Sequence, residues 1–459
     1  MIATLFKPKR PKTPALYNDS FFNTLRQKEY SRLDKDSHVY LDYTGGNLYS
    51  ESQILKHLNY LKEHTFGNPH SSNPTSKHAT YLVEETRNSI LDYFNAHDYH
   101  CIFTQNASGA LKIVGECYPF TATSEYLLFS DNHNSVNGIR EYCRNKGGNF
   151  NYVPLKFENL RVDEDRLKEA LHKNKSASNK LFAYPAQSNV SGVQHDLNWV
   201  AYAQQLGWDV LLDAAAYVPT SQLDLSKIKP DFVTMSFYKI FGYPTGLGCL
   251  LIKKSKFNKL KKPWFAGGTV TLASVMAPHH FLINNHERFE NGTLNYLDIP
   301  ALKTGLEYIS EIGIDRINAR VQSLTHYLCE KLSALKHTNE VRKVKLFGPC
   351  DRSDTGGTLI MSFFDSCNKV IPFEHIETQA NAKNISLRTG CFCNPGIDEI
   401  NNNLSAEELD SYFSTRHTGN YNEMINTLQK LRGATRISVG IATNKADLDY
   451  FIDFVKHLE

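Results

Sequence analysis

The chain has 459 residues, 41% of them hydrophobic and 22% charged, the make-up of an ordinary globular protein long enough to call for two domains. Its net charge of +3 is small and evenly spread, which argues against a nucleic-acid partner, and no apolar run approaches the ~18 residues of a membrane span. The opening stretch MIATLFKPKRPKTPAL is basic but lacks the apolar core of a signal peptide; residues 1–35 read as an N-terminal arm, and the expected location is cytoplasmic. Nine cysteines at irregular spacing point to free thiols rather than a disulfide framework.

Residues 30–36 read as a polar helix, and Val39-Tyr40-Leu41-Asp42 as a short strand ending in the turn Thr44-Gly45-Gly46-Asn47. Ile54, Leu55, Leu58 and Leu61 recur at helical spacing, which predicts a helix over 51–64, and a longer one follows over 77–95. Cys101 to Thr104 is a strand, residues 105–109 a small-residue turn, and residues 110–116 a helix. Such a turn brings backbone N–H groups and a hydroxyl to a helix N-terminus, where a phosphate binds, although an ordinary strand-to-helix connection has the same composition. The next strand, residues 126–130, runs into Asp131-Asn132-His133-Asn134-Ser135, where His133 is either a polar loop residue or a group that stacks on a ring and carries protons.

A strand at residues 181–184 precedes the polar cluster Gln187 to Gly192, and a helix covers residues 199–206. Residues 207–216 read as a buried strand ending in the carboxylate Asp213, at the edge where open α/β sheets bind ligands. In residues 229–254, Ser236-Phe237-Tyr238-Lys239 and a glycine-spaced turn stand between two apolar strands, which places Lys239 on a turn. A partly desolvated lysine there can act as an amine nucleophile and form a Schiff base; a hairpin with one exposed lysine is the plainer reading. Alternating strands and helices indicate an α/β fold with a mainly parallel sheet.

Residues 265–269 and 288–295 look like glycine-pivoted loops, and from residue 299 the pattern turns helical. The boundary between a large domain (36–299) and a smaller C-terminal α+β domain (300–459) is expected near residue 300, with residues 401–403 a polar loop and a last strand at Arg436-Ile437-Ser438-Val439. Cys391 and Cys393 lie among turn residues beside Arg388; they are either structural or an exposed reactive pair, and a CxC pair alone is weak evidence for a metal.

With these residues laid out, the chain resembles the class V aminotransferase-like pyridoxal phosphate enzymes, and among them the N-terminal cysteine desulfurase domain of molybdenum cofactor sulfurases. The matching segments include YLDYTGG, FGNPHS, FTQNASGALK, LLDAAAYVPTS, DFVTMSFYKIFGYPTGLG, FENGTLNYL and RTGCFCNPG. The resemblance implies fold type I, with Lys239 as the Schiff-base lysine, Asp213 as partner of the pyridinium nitrogen and His133 stacked on the ring. It further implies Ala107, Ser108, Ser236 and Tyr238 around the phosphate, Asn189 beside the ring hydroxyl, and Arg388 and Arg436 for the substrate carboxylate, with Arg436 preferred. Thr293 is similar to a residue that crosses a homodimer interface to the partner's cofactor.

The implied reaction moves sulfur from L-cysteine to an enzyme cysteine, with alanine released. Cys393 is the expected persulfide carrier and Cys391 the fallback or a relay. Another class V reaction, such as a carbon–sulfur or selenocysteine lyase, and a cofactor-binding scaffold without turnover are the competing readings. The sulfurases continue into a further domain whereas this chain ends at Glu459, so the expected sulfur acceptor is a separate protein or a small molecule.

Overall fold

A computed structural model describes residues 20–173, 177–349, 351–430 and 432–458. In chain order the first eight strands are β1 (Val39–Tyr40), β2 (Tyr99–Thr104), β3 (Glu125–Phe129), β4 (Asn149–Val153), β5 (Lys180–Pro185), β6 (Asp209–Asp213), β7 (Phe232–Ser236) and β8 (Gly248–Lys253). Seven of them form one sheet in the order β2-β8-β7-β6-β5-β3-β4. Only β8 runs against its neighbours, pairing antiparallel with both β2 and β7. Every residue of β3, β5, β6 and β7 is buried, as continuous apolar runs covered on both faces require. Because β2, β3, β5, β6 and β7 run the same way, the segments that follow them emerge along one edge of the sheet.

Helices cover this sheet, and their ends follow the sequence. Asn73 caps the helix Pro74–Tyr93 by accepting from the Ser76 N–H, with proline at its first turn. Ser50 and Gln53 form a capping box at the start of Glu51–Glu63. That helix does not bury its leucines: Leu55 and Leu58 are each 50% exposed. Its buried face carries His57 instead, whose ring nitrogens meet the Tyr243 hydroxyl at 2.7 Å and the Leu297 carbonyl at 2.9 Å.

β9 (Val270–Ala273) and β10 (His280–Leu282) form a separate antiparallel hairpin. The C-terminal part has its own antiparallel sheet, built from β11 (Val344–Phe347), β12 (Thr358–Phe363), β14 (Arg388–Gly390) and β15 (Ala434–Ser438) in the order β11-β12-β15-β14. Short β13 (Ile385–Ser386) pairs parallel with β1, so the chain's early strand joins its late part.

Of the expected arm, residues 1–19 lie outside the described residues. The remainder is not a free arm: Ser20–Glu29 and Ser31–Lys35 are helices. The guanidinium of Arg26 grips the Asp447 carboxylate at 2.6 and 3.1 Å, both side chains being buried, and also donates to the Ala442 carbonyl. Phe22 is buried in the main hydrophobic core. Residues 402–403 of the expected polar loop are a turn, set between the helices Pro395–Asn401 and Ala406–Ser414, with a further helix at Tyr421–Leu428. Among the described residues no helix is long and apolar enough to cross a membrane.

Candidate active site

The edge where the parallel strands end holds a cavity of about 630 Å³, its open mouth included, lined by residues from five separate strand ends. Asn106, Ala107 and Ser108 come from the turn after β2, His133 and Ser135 from the segment after β3, and Gln187 and Asn189 from that after β5. Asp213 ends β6, Ser236 ends β7, and Tyr238 and Lys239 follow directly.

Lys239 lies on a single helical turn, Phe237–Phe241, rather than on the open turn expected from its glycines. Phe237, Ile240 and Phe241 of that turn are buried, which fixes the helix and aims Lys239 into the cavity. Burial pulls its ammonium below the ordinary lysine value, with the Asp213 carboxylate pulling the other way. No described residue accepts a hydrogen bond from its Nζ. Asp213 Oδ1 accepts from the Ala215 N–H at 3.0 Å and the Thr234 hydroxyl at 3.5 Å, leaving Oδ2 without a partner among the described residues. A buried carboxylate with one free oxygen suits a protonated ring nitrogen.

At the other end of the cavity the helix Ala107–Cys117 begins, capped by Asn106, whose side chain accepts from the Gly109 N–H at 3.0 Å. The Ala107 N–H donates to Ser236 Oγ at 2.8 Å, and Ser108 and Ser135 share a hydroxyl contact of 2.6 Å. Backbone N–H groups, hydroxyls and a helix N-terminus on one wall suit a phosphate. His133 Nδ1 accepts from the Ser135 N–H at 3.1 Å, and burial pulls its imidazolium below the usual histidine value, with Asp213 opposing. The residues present therefore fit pyridoxal phosphate at both ends of the cavity.

The cysteine loop packs against the segments that follow β3 and β5. The Asn134 N–H donates to the Cys393 carbonyl at 2.7 Å, and the Asn189 amide donates to the Phe392 carbonyl at 2.9 Å. Asn394 is fully buried; its amide donates to the Asp131 carbonyl at 2.7 Å and to the side-chain oxygen of Asn189 at 2.9 Å. At Gly396 a Cβ would collide with the Ser130 carbonyl, so only glycine allows this approach. Cys393 is exposed and Cys391 half-buried, and all eight described cysteines are free thiols.

Four of the expected residues stand apart from the cavity lining. Cys393 reaches the wall only through its backbone, and Thr293 is exposed, its hydroxyl accepting from the Asn68 amide at 3.2 Å. Arg388 and Arg436 both bond to the Asp42 carboxylate, at 2.7 Å each. Sequence reasoning did not single out Asp42, Asn394 or Ser135. For Asn394 a signal exists: an asparagine followed by proline marks a helix start, here Pro395–Asn401.

The comparisons agree with this architecture. The model for the family described as "Aminotransferase class-V" matches residues 39–451. Molybdenum cofactor sulfurase 3 of Aedes aegypti is 35% identical over 455 residues, which cover 94% of this chain and 57% of that protein. Human molybdenum cofactor sulfurase is 35% identical over 474 residues, covering 98% of this chain and 52% of its own length. The chain thus spans about half the length of the curated relatives it matches. Among solved structures, an apo cysteine desulfurase from Thermococcus onnurineus NA1 superposes with a TM-score of 0.76 at 22% identity, covering 95% of this chain and 97% of that one. The cysteine desulfurase CsdA of Escherichia coli does so with 0.74 at 20% identity, covering 95% and 97%. These two likenesses establish the fold, that of the type I enzymes. On the family match across nearly its whole length, the chain belongs to the class V aminotransferase family.

Proposed function

We propose that this chain is a pyridoxal phosphate-dependent cysteine desulfurase that moves sulfur from L-cysteine to Cys393 and releases alanine. The observation that carries the reading is the convergence of Lys239, Asp213 and the phosphate-suited wall on one cavity, with the Cys393 loop tied to Asn189 of the same cavity. When bound, pyridoxal phosphate supplies an electron sink for the charge left when a bond at the substrate Cα breaks. Asp213 would hold the ring nitrogen protonated, and Asn189 and His133 would contact the ring. Ala107, Ser108, Ser236 and Tyr238 hold the phosphate. Lys239 would hold the cofactor through its amine and would move the substrate Cα proton, a role its depressed basicity suits. The Arg388 and Arg436 pair marks the place of the substrate carboxylate.

Cys393, as thiolate, attacks the substrate sulfur: the S–S bond forms as the substrate Cβ–S bond breaks, its electron pair stays with the carbon fragment released as alanine, and the persulfide awaits an acceptor; the molybdenum cofactor is one candidate destination, as the names of the relatives suggest. A homodimer completes the assembly, with Thr293 reaching toward the second copy's cofactor. The exposed apolar side chains of the β9–β10 hairpin, Leu272, Val275, Met276 and Phe281, support such an interface.

The test is peptide mass spectrometry after brief exposure of the purified protein to L-cysteine, with alanine assayed alongside. One extra sulfur on Cys393 together with alanine is the expected result. Turnover that survives Cys393→Ser points instead to a carbon–sulfur lyase, and a protein that purifies without cofactor points to a scaffold.

A further inference from the structure

Arg388 and Arg436 face each other across β14 and β15 as register partners. Both direct their guanidinium groups at one internal carboxylate. Arg388 donates from Nε and Nη2 to Asp42 Oδ2 at 3.0 and 2.7 Å, while Arg436 Nη2 donates to Asp42 Oδ1 at 2.7 Å. Asp42 thus occupies the guanidinium groups that a substrate carboxylate needs.

The two arginines are not held alike. Arg436 is buried, its side chain only 3% exposed, and its Nη1 also donates to the Asn189 carbonyl at 2.9 Å. The Arg388 side chain is 50% exposed, and its hydrogen bonds to described residues all go to Asp42. Asp42 is fixed in place: its carbonyl accepts from the Gly45 and Gly46 N–H groups at 3.0 and 3.2 Å, and its backbone bridges to Ser438. At Gly45 a Cβ would strike the Asp42 carboxylate and stand 2.6 Å from Arg388 Nη2, so the ion pair closes over a residue without a side chain. Of the three groups, only Arg388 can move without dismantling buried contacts.

We propose that Asp42 is a resident competitor for the substrate carboxylate, which binds by drawing Arg388 away from Asp42 while Arg436 stays in place. The proposal rests on the amino-acid substrate advanced above. Two guanidinium groups against one carboxylate leave one positive charge uncompensated, enough to attract an anion. The exposed Arg388 pair is weakly held and exchanges readily, whereas the buried Arg436 pair does not. Asp42 acts here as a positioning residue: it keeps the arginines aligned in the resting enzyme and lowers affinity for every ligand that must draw Arg388 away from it.

The test measures, by calorimetry on the cofactor-loaded enzyme, the binding of L-alanine and of L-alaninamide, which lacks the carboxylate. Asp42→Asn keeps the shape and removes the charge; it is expected to bind L-alanine about three- to tenfold more tightly, with alaninamide unchanged. Asp42→Glu, which restores the charge, is expected to return alanine affinity toward wild type. Equal or weaker alanine binding in a folded Asp42→Asn protein, or equal tightening of both ligands, overturns the proposal. A crystal structure of the wild-type enzyme with L-alanine tests it without any variant: Arg388 turned to the ligand with Arg436 still on Asp42 supports it, and both arginines still on Asp42 overturn it. Wild-type protein that carries no cofactor, or whose cofactor absorbance does not respond to L-cysteine, overturns the amino-acid reading and this proposal together. Wild-type protein that binds alanine, with no gain in Asp42→Asn, overturns this proposal alone.

Discussion

The Asn394 amide lies 2.9 Å from the side-chain oxygen of Asn189, so a residue of the cysteine loop and a residue of the cavity wall hold each other in place. Asn394 also donates to the Asp131 carbonyl, and Asn189 donates to that of Phe392. Replacing Asn394 by alanine leaves two buried acceptors short of a donor, at a cost of about 1–3 kcal/mol each if they stay dry. The expected outcome for Asn394→Ala is a looser loop: Cys393 is alkylated by iodoacetamide faster than in wild type, and alanine formation from L-cysteine falls by roughly tenfold. Peptide-resolved alkylation rates check this, and an unchanged rate would mean that these bonds do not hold the thiol.

His133 gives the fold a pH dependence of definite sign. Burial depresses its folded-state value below the ordinary 6.5, so as pH falls the unfolded chain takes up the proton first. The stability this neutral imidazole allows is complete above pH 6.5 and is lost as pH falls from there toward the depressed value. The slope due to this one group is at most ~1.4 kcal/mol per pH unit. Denaturant midpoints of the cofactor-free protein at about pH 7.5 and about pH 5.5 should drop less in His133→Gln than in wild type.

The buried pair Arg26–Asp447 makes the residues before β1 part of the fold. Asp447→Ala leaves the Arg26 guanidinium buried with a partner missing and should cost about 3–5 kcal/mol. Replacing both residues with apolar side chains of similar size should recover much of that loss. Chemical denaturation of the two variants decides the matter; a small loss in the single variant would show this helix to be peripheral.

Much of the large sheet was legible because its strands are uninterrupted apolar runs ending in polar clusters. The segment ending at Asp213 and the one entering Ser236 needed nothing from the rest of the chain to be read as buried strands. Asp42 was hidden for the opposite reason. A single aspartate after a short strand carries no local signal, and its role arises only when β14 and β15 bring two arginines to it across more than 340 residues of chain. The helices of residues 395–428 were missed because short polar helices look like loops, even though Ser405 and Glu408 form a capping box there. The stripe over 51–64 had the right period but the wrong face, since His57 is buried with both ring nitrogens partnered and the leucines do not point inward.

Those outward leucines and the β9–β10 hairpin lead to a further prediction. Val275 and Met276 at the hairpin tip are almost fully exposed, at 101% and 95%. If a second copy covers them, Val275→Asp with Met276→Asp should convert the protein from dimer to monomer in light scattering at micromolar concentration. A protein that is already monomeric as wild type would remove the interface.

Phe392 and Cys393 both sit in the left-handed region, at φ +58° and +54°, where neither side chain is at ease. Two such residues in succession cost on the order of 1–3 kcal/mol each, held against their preference by the amide bonds around them. The loop is in effect a cocked latch. Loosening its catches would release that backbone strain, so part of the cost of breaking the amide bonds is returned as the Cys393 thiol moves away from where it stands.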